Sequence, residues 1–188
     1  SLAHVTPMAR FGASMAQTLP AVEEAFRSGG GVSWDAFGHL GRDAQGDANR
    51  PLFANLLGQE WLPAIGDVHD RLLADPPARV ADIACGAGWS SIAIARAYPN
   101  VAVDGYDLDE ASVALARENV AATEVADRVS IHLRDAGDPE LAGSYQLVTV
   151  FEAVHDMSQP VGVLRSLRGL AADDGAVVVM DERVADTF

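Results

Sequence analysis

The stretch Arg79-Val-Ala-Asp-Ile-Ala-Cys-Gly-Ala-Gly-Trp-Ser-Ser91 leaves the chain few folds to choose from. It reads as a short buried strand (Val80 to Ala84), a glycine turn (Gly86, Gly88) and the opening of a helix. Glycines at such a turn let a ligand lie against the backbone. The free N–H groups of the helix N-terminus then face a polar or anionic group of that ligand. Many α/β proteins carry a turn of this kind, and two acids make it more specific. Asp82 sits inside the strand, and Asp107 closes the next apolar run about twenty residues on, the spacing of a ribose-binding acid. The residues alone therefore point to a nucleoside-containing cofactor.

Downstream of Arg79 the texture alternates. A helix over Ser90 to Tyr98 stops at Pro99-Asn100, and a strand runs from Val101 to Tyr106. Glu110 to Ala122 is helical, with Val113, Leu115, Ala116 and Val120 as buried positions. Strands follow at Val129 to Leu133 and Tyr145 to Phe151, then a helix over Val161 to Ala171. The turn Asp173-Asp-Gly175 leads into a fifth strand, Ala176 to Met180. Strands alternating with short helices predict right-handed βαβ units and a doubly wound, mainly parallel sheet. Ligands bind such sheets at the carboxyl ends of the strands. Gly86 to Gly88, Asp107, Asp135 and Phe151 to Asp156 all fall at those ends.

Upstream the chain is helical. Residues 1–13 show no periodicity and read as coil. From Ser14 the stripe Met15, Leu19, Val22, Ala25, Phe26 predicts a helix ending at Ser28-Gly-Gly-Gly31. A brief aromatic segment, Val32 to Gly38, precedes a polar stretch from Gly41 to Asn49 that reads as loop. Arg50 to Leu73 is helical again, kinked or split at Pro63. Asp75-Pro-Pro77 is the boundary between an N-terminal helical segment, residues 1–77, and the sheet domain, residues 78–188.

Charge narrows the partners. Thirteen basic residues, all arginine, against 27 acidic ones give a net charge of −14, which repels nucleic acid and anionic membranes. Cys85 is the only cysteine, so no intrachain disulfide can form. With no signal peptide and no apolar run of membrane-spanning length, a cytoplasmic protein is expected. Cys85, inside the glycine turn, reads as a packing residue rather than a nucleophile. His4, His39, His69 and His132 have no metal-ligand spacing with one another or with Cys85, so no metal site is expected.

Taken together, VADIACGAGWSS, VAVDGYDLDEASVALARENV, VSIHLRDAGD and YQLVTVFEAVHDM resemble the class I S-adenosylmethionine-dependent methyltransferases, over about Arg79 to Arg183. Asn49-Arg-Pro through Gly58-Gln-Glu-Trp-Leu-Pro63 is similar to a bacterial subgroup acting on small molecules. That subgroup carries an N-terminal winged-helix or dimerisation domain that is not evident here. The resemblance implies a Rossmann-like methyltransferase fold with S-adenosylmethionine as methyl donor and S-adenosylhomocysteine as product. It implies that Gly86, Ala87 and Gly88 line the methionine moiety, with Asp82 supporting the loop and the cofactor amino group. Asp107 would hold both ribose hydroxyls, Leu108 would pack on the adenine, and Asp135 would take the exocyclic amine beside the Ala136 N–H. Phe151 and Glu152 would border the sulfonium and the substrate.

Two departures from the family pattern stand out. Its first glycine is Ala84 here, and its sheet has two further strands, an antiparallel hairpin, so the chain reads as truncated after the fifth strand.

Methyl transfer from a sulfonium is an in-line displacement. The protein aligns the nucleophile, excludes water and removes a proton where the acceptor is weakly acidic. His155, beside Asp156, is the candidate general base, with the start of the next helix or a contact to the cofactor as its alternative roles. Glu152 is a candidate for substrate contact or a salt bridge. Trp89 either shields the cofactor or fills the helix–sheet interface, and Trp34, Phe37, Phe53 and Trp61 form either a lid or core.

The expected function is methyl transfer to oxygen, nitrogen or carbon of a small molecule, with the N-terminal helices available to pair two chains. Two alternatives come from other classes. A nicotinamide dehydrogenase would use the same turn, but the third glycine of that motif is missing and Asp82 and Asp135 would go unexplained. A cofactor-binding module without catalysis is the other.

Overall fold

The computed structural model describes residues 5–138 and 140–183. Among the described residues five helical pieces precede the sheet: α1 (Thr6–Ser28), a 3-10 turn (Trp34–Phe37), α2 (Gly38–Leu52), a π-helix (Phe53–Trp61) and α3 (Gly66–Leu73). α2 runs without a break into the π-helix. Then β1 (Arg79–Ile83), α4 (Trp89–Ala97), β2 (Ala102–Asp107), α5 (Glu110–Ala121) and β3 (Val129–Leu133) alternate. After these come β4 (Tyr145–Phe151), a 3-10 turn (Val154–Asp156), α6 (Pro160–Leu170) and β5 (Ala171–Met180).

The five strands form one parallel sheet in the order β3-β2-β1-β4-β5. Val80 of β1 lies opposite Val103 on one side and Leu147 on the other, all three buried. The order reverses between β1 and β4, which opens a crevice beyond their carboxyl ends. Asp104 of β2 accepts from Arg79 of β1 at 2.7 Å and from Tyr145 of β4 at 3.0 Å, and meets His132 of β3 at 3.1 Å, tying four strands on one face. In β5, Ala171 pairs with Tyr145 before the register shifts, and the extended run resumes at Ala176. Gly175 is needed there, since a Cβ would sit 2.5 Å from the Tyr145 carbonyl oxygen.

The N-terminal segment shares the core of the sheet. Phe53, Leu57, Leu62, Val68 and Leu72 belong to the same buried cluster as Val80, Ile92, Val113 and Leu147. Gly58 allows the π-helix to press on α4, where a Cβ would come 2.3 Å from the Ala97 Cβ. Among the described residues no helix is long and apolar enough to cross a membrane.

Several upstream expectations need correction. Residues 1–4 lie outside the described residues, but from Thr6 the expected coil is helix, started by Pro7 in its first turn. Of the apolar stripe, Leu19 and Phe26 face solvent, Phe26 at 87% exposure, Val22 and Ala25 are half-buried, and the buried face of α1 is Pro7, Ser14 and Thr18. Small residues win because α1 and α2 pack closely. Ser14 Oγ donates to the Phe37 carbonyl at 2.7 Å, and a Cβ on Gly41 would meet Phe37 and Ser14 inside 3 Å. Gly41 to Asn49, expected as loop, is helix within α2. Its glycines mark close approaches to α1 and, at Gly46, to Ala87 and Trp89. Leu115 is half-buried rather than core. The expected break at Pro63 is present, between the π-helix and α3.

Candidate active site

A cavity of about 1080 Å³ lies beyond the carboxyl ends of the strands, roofed by the N-terminal segment. Its floor is the β1 turn. Ala84 and Gly86 both adopt positive φ, +54° and +52°, and nothing lies within 4 Å of where a Gly86 Cβ would be. The turn thus leaves open backbone toward the cavity. Ala84 adopts, at some strain, the conformation that a glycine takes freely. Gly88 is different: it is not on the cavity wall, and its φ of +78° with a Cβ position 3.2 Å from Ala116 marks the close packing of α4 on α5.

Asp82 is buried beneath this turn. Ser90 and Ser91 each donate to its Oδ2 at 2.6 Å, and Thr149 donates to Oδ1 at 2.8 Å. Burial pushes its carboxyl up, against the opposing effect of those three hydroxyls. With both oxygens engaged, Asp82 ties the first turn of α4 to β1 and β4 and fixes the glycine turn. Burial likewise raises the Cys85 thiol well above its ordinary range, which suits packing rather than nucleophilic chemistry.

Asp107 ends β2 at the cavity wall. Its Oδ2 accepts from Gly86 N at 2.8 Å and its Oδ1 from Asp109 N at 2.9 Å. Burial pushes this carboxyl up too, partly offset by those backbone bonds. Leu108 beside it is 69% exposed and lines the cavity, as do Ala87, Asp135 and Ala136. Asp135 Oδ1 accepts from Gly137 N at 2.7 Å, which folds the loop after β3 into a tight turn.

Across the cavity stand Phe151, Glu152 and His155. Phe151 packs on Phe53 of the π-helix, ring centroids 5.6 Å apart. Trp34, Phe37 and Phe53 line the cavity, whereas Trp61 does not and packs edge-on to Phe53. Trp89 lines the cavity and carries the Arg50 guanidinium 4.0 Å above its ring. Glu152 has a φ of +51°, held by a bond from its N–H to the Met180 carbonyl at 2.8 Å. Burial raises its carboxyl, helped by the nearby Glu182 and Asp181.

His155 is oriented by Asp181, just past β5, and not chiefly by its neighbour Asp156. Nδ1 bonds to Asp181 Oδ1, and the His155 backbone N–H donates to Asp181 Oδ2 at 3.2 Å; Asp156 lies 3.5 Å from Nε2. A carboxylate only accepts, so Nδ1 carries the proton and Nε2 is the basic nitrogen of the neutral ring. The bond to Asp181 raises the imidazole above its ordinary value. Sequence reasoning missed Asp181, whose signal was an acid at the end of a strand, the same signal that marked Asp107. Among the described residues no cluster of metal-ligating side chains occurs.

Residues 80–175 match the family described as methyltransferase domain, more than half of the chain, and the protein belongs to that family. Among curated proteins it is 29% identical over 103 residues to a polyketide synthase, ThaQ, of Burkholderia thailandensis. It is 38% identical over 81 residues to a tRNA1(Val) (adenine(37)-N6)-methyltransferase of Yersinia pestis. These alignments cover 55% and 43% of the chain, and 5% and 28% of those proteins. Among solved structures, an O-methyltransferase family protein from Burkholderia thailandensis superposes with a TM-score of 0.70 at 19% identity. The match covers 94% of this chain and 53% of that one. PKMT2 of Rickettsia typhi, solved with AdoHcy, gives 0.50 at 24% identity, over 54% of this chain and 20% of that one.

Proposed function

We propose that this domain transfers the methyl group of S-adenosylmethionine to a nucleophilic oxygen, nitrogen or carbon of a small molecule. One observation carries the reading: a single cavity brings Asp107 and the open turn at Gly86 to face Glu152 and His155. The donor set fits the cofactor. A carboxylate at the end of β2 suits a ribose diol, and bare backbone at Gly86 admits a chain laid against it. When bound, the cofactor supplies an activated methyl group on sulfur.

The protein's own part is alignment and proton removal. Phe151 and Phe53 close an apolar wall that excludes water from the acceptor. His155 takes a proton at Nε2 while Asp181 stabilises the imidazolium at Nδ1. A small, neutral or cationic acceptor is favoured over nucleic acid. Of the two arginines on the cavity wall, Arg42 is ion-paired to Asp35 and Asp109, and Arg134 to Asp138, so the positive charge of each is already matched by a carboxylate. The net charge of −14 acts in the same direction.

Calorimetric titration with S-adenosylhomocysteine, S-adenosylmethionine and NAD tests the cofactor class. Micromolar binding of the first two is expected, weakened at least about tenfold in Asp107→Ala through loss of charged hydrogen bonds. Binding of NAD alone would overturn the reading. Methyl transfer from labelled cofactor to a panel of phenols, amines and short RNAs then tests the acceptor class.

A further inference from the structure

The carboxylate of Asp107 is held not only by its own strand end but, through one neighbour, by the N-terminal segment. Arg42 on α2 donates from Nε to Asp109 Oδ2 at 2.7 Å and from Nη2 to Asp35 Oδ1 at 2.6 Å. Asp109 is also the N-cap of α5, accepting from Ser112 N at 2.9 Å and Ser112 Oγ at 2.7 Å. Its backbone N–H donates to Asp107 Oδ1 at 2.9 Å, and Asp107 Oδ2 accepts from Gly86 N at 2.8 Å. One unbroken line of hydrogen bonds therefore runs Asp35–Arg42–Asp109–Asp107–Gly86, from the N-terminal segment to the glycine turn.

The middle of this line is shielded. The side chains of Arg42 and Asp109 are each 10% exposed, whereas Asp35 at the outer end is 82% exposed. Burial works against the ionised form of Asp109, but the bonds from Arg42 and Ser112 outweigh it and hold the carboxyl below its ordinary range. An ion pair in such a setting is directional and weakly screened, whereas the exposed pair with Asp35 adds little.

We propose that Arg42 is a positioning residue for recognition of the cofactor's ribose. By fixing Asp109 from the side, it fixes the turn Asp107-Leu108-Asp109, and so sets the direction in which the Asp107 carboxylate presents its lone pairs. This rests on the cofactor reading above and extends it, since it makes a residue of the N-terminal segment part of nucleoside recognition. Without Arg42 the turn still caps α5 through Ser112, but its lateral restraint is gone. A carboxylate misaligned by a fraction of an ångström loses much of two directional bonds.

The test compares S-adenosylhomocysteine with its analogue lacking both ribose hydroxyls, each titrated calorimetrically into the full chain. The native chain is expected to prefer the first by at least about tenfold. In Arg42→Gln, binding of S-adenosylhomocysteine should fall about tenfold while the analogue stays within about twofold, so the preference collapses. Arg42→Lys, which keeps a cation opposite Asp109, should restore most of it. Asp109→Ser retains a capping oxygen for α5 but removes the ion pair, and should reproduce Arg42→Gln even where that variant folds poorly. Equal losses for both ligands would show that Arg42 only braces the fold, and unchanged preference in both variants would also overturn the inference. Failure of the native chain to bind S-adenosylhomocysteine would overturn the cofactor reading itself, and would be seen before any variant is made.

Discussion

Asp82 inside β1 and Asp107 at the end of the adjacent β2 are both carboxylates, and their partners differ. Asp82 accepts from three hydroxyls and braces α4 against β1 and β4 at the base of the cavity, while Asp107 is held by two backbone N–H groups at its wall. His155 makes a prediction at the same scale. Its raised pKa means that the free base forms only as pH rises through that value, so kcat should climb across it. Asp181→Asn removes the main cause of the rise and should move the inflection to lower pH, read from the pH profile of turnover. The linkage to stability has the opposite sense. The contribution of the His155–Asp181 pair is full below the ordinary histidine pKa and is lost as pH rises through the folded value, so the difference in Tm between native and His155→Gln should shrink with pH. Glu152 supplies a backbone test. Glycine relaxes its positive φ and alanine does not, so Glu152→Gly should be about 1 kcal/mol more stable than Glu152→Ala in urea unfolding. Equal stability would mean that the φ is not a constraint.

At the scale of elements, the π-helix and α4 meet through Gly58, with no room for a methyl group against Ala97. Gly58→Ala is therefore expected to cost about 1–3 kcal/mol by chemical denaturation, without altering the sheet's far-UV signature. The strands and the helices between them were legible to within one or two residues, because buried parallel strands are runs of apolar residues bounded by turn formers. Ala171 to Gly175 was the exception, where pairing at Ala171 precedes the register shift. The upstream helices were far less legible. α2 carries three glycines and few apolar residues, and its reason to be helical is a close approach to α1 and the turn at Ala87, which only the tertiary structure contains. The apolar stripe of α1 marks a helix but not its buried side, which is Pro7, Ser14 and Thr18. In the site, Asp107 and Asp135 were visible by position at strand ends. Arg42 and Asp109 were not, because they are far apart in sequence and meet only when α2 lies across the start of α5.

Across the whole molecule, one buried cluster joins Phe53, Leu57 and Leu72 to Val80 and Leu147, on either side of residue 77. One cooperative thermal transition is expected for it, followed equally by tryptophan fluorescence, which reports mainly the N-terminal segment, and by far-UV circular dichroism. Two separated transitions would contradict that continuity. The cavity has a further consequence, because its walls are drawn from both sides of residue 77. A molecule that occupies it is bound by a surface that exists only while the N-terminal segment and the sheet are both folded, so its binding free energy becomes resistance to their unfolding. At a free concentration 100 times its Kd, such a ligand adds about 2.7 kcal/mol. Melting temperature alone therefore ranks candidate acceptors in the presence of S-adenosylhomocysteine, with no need to observe turnover, and the fold itself serves as the detector.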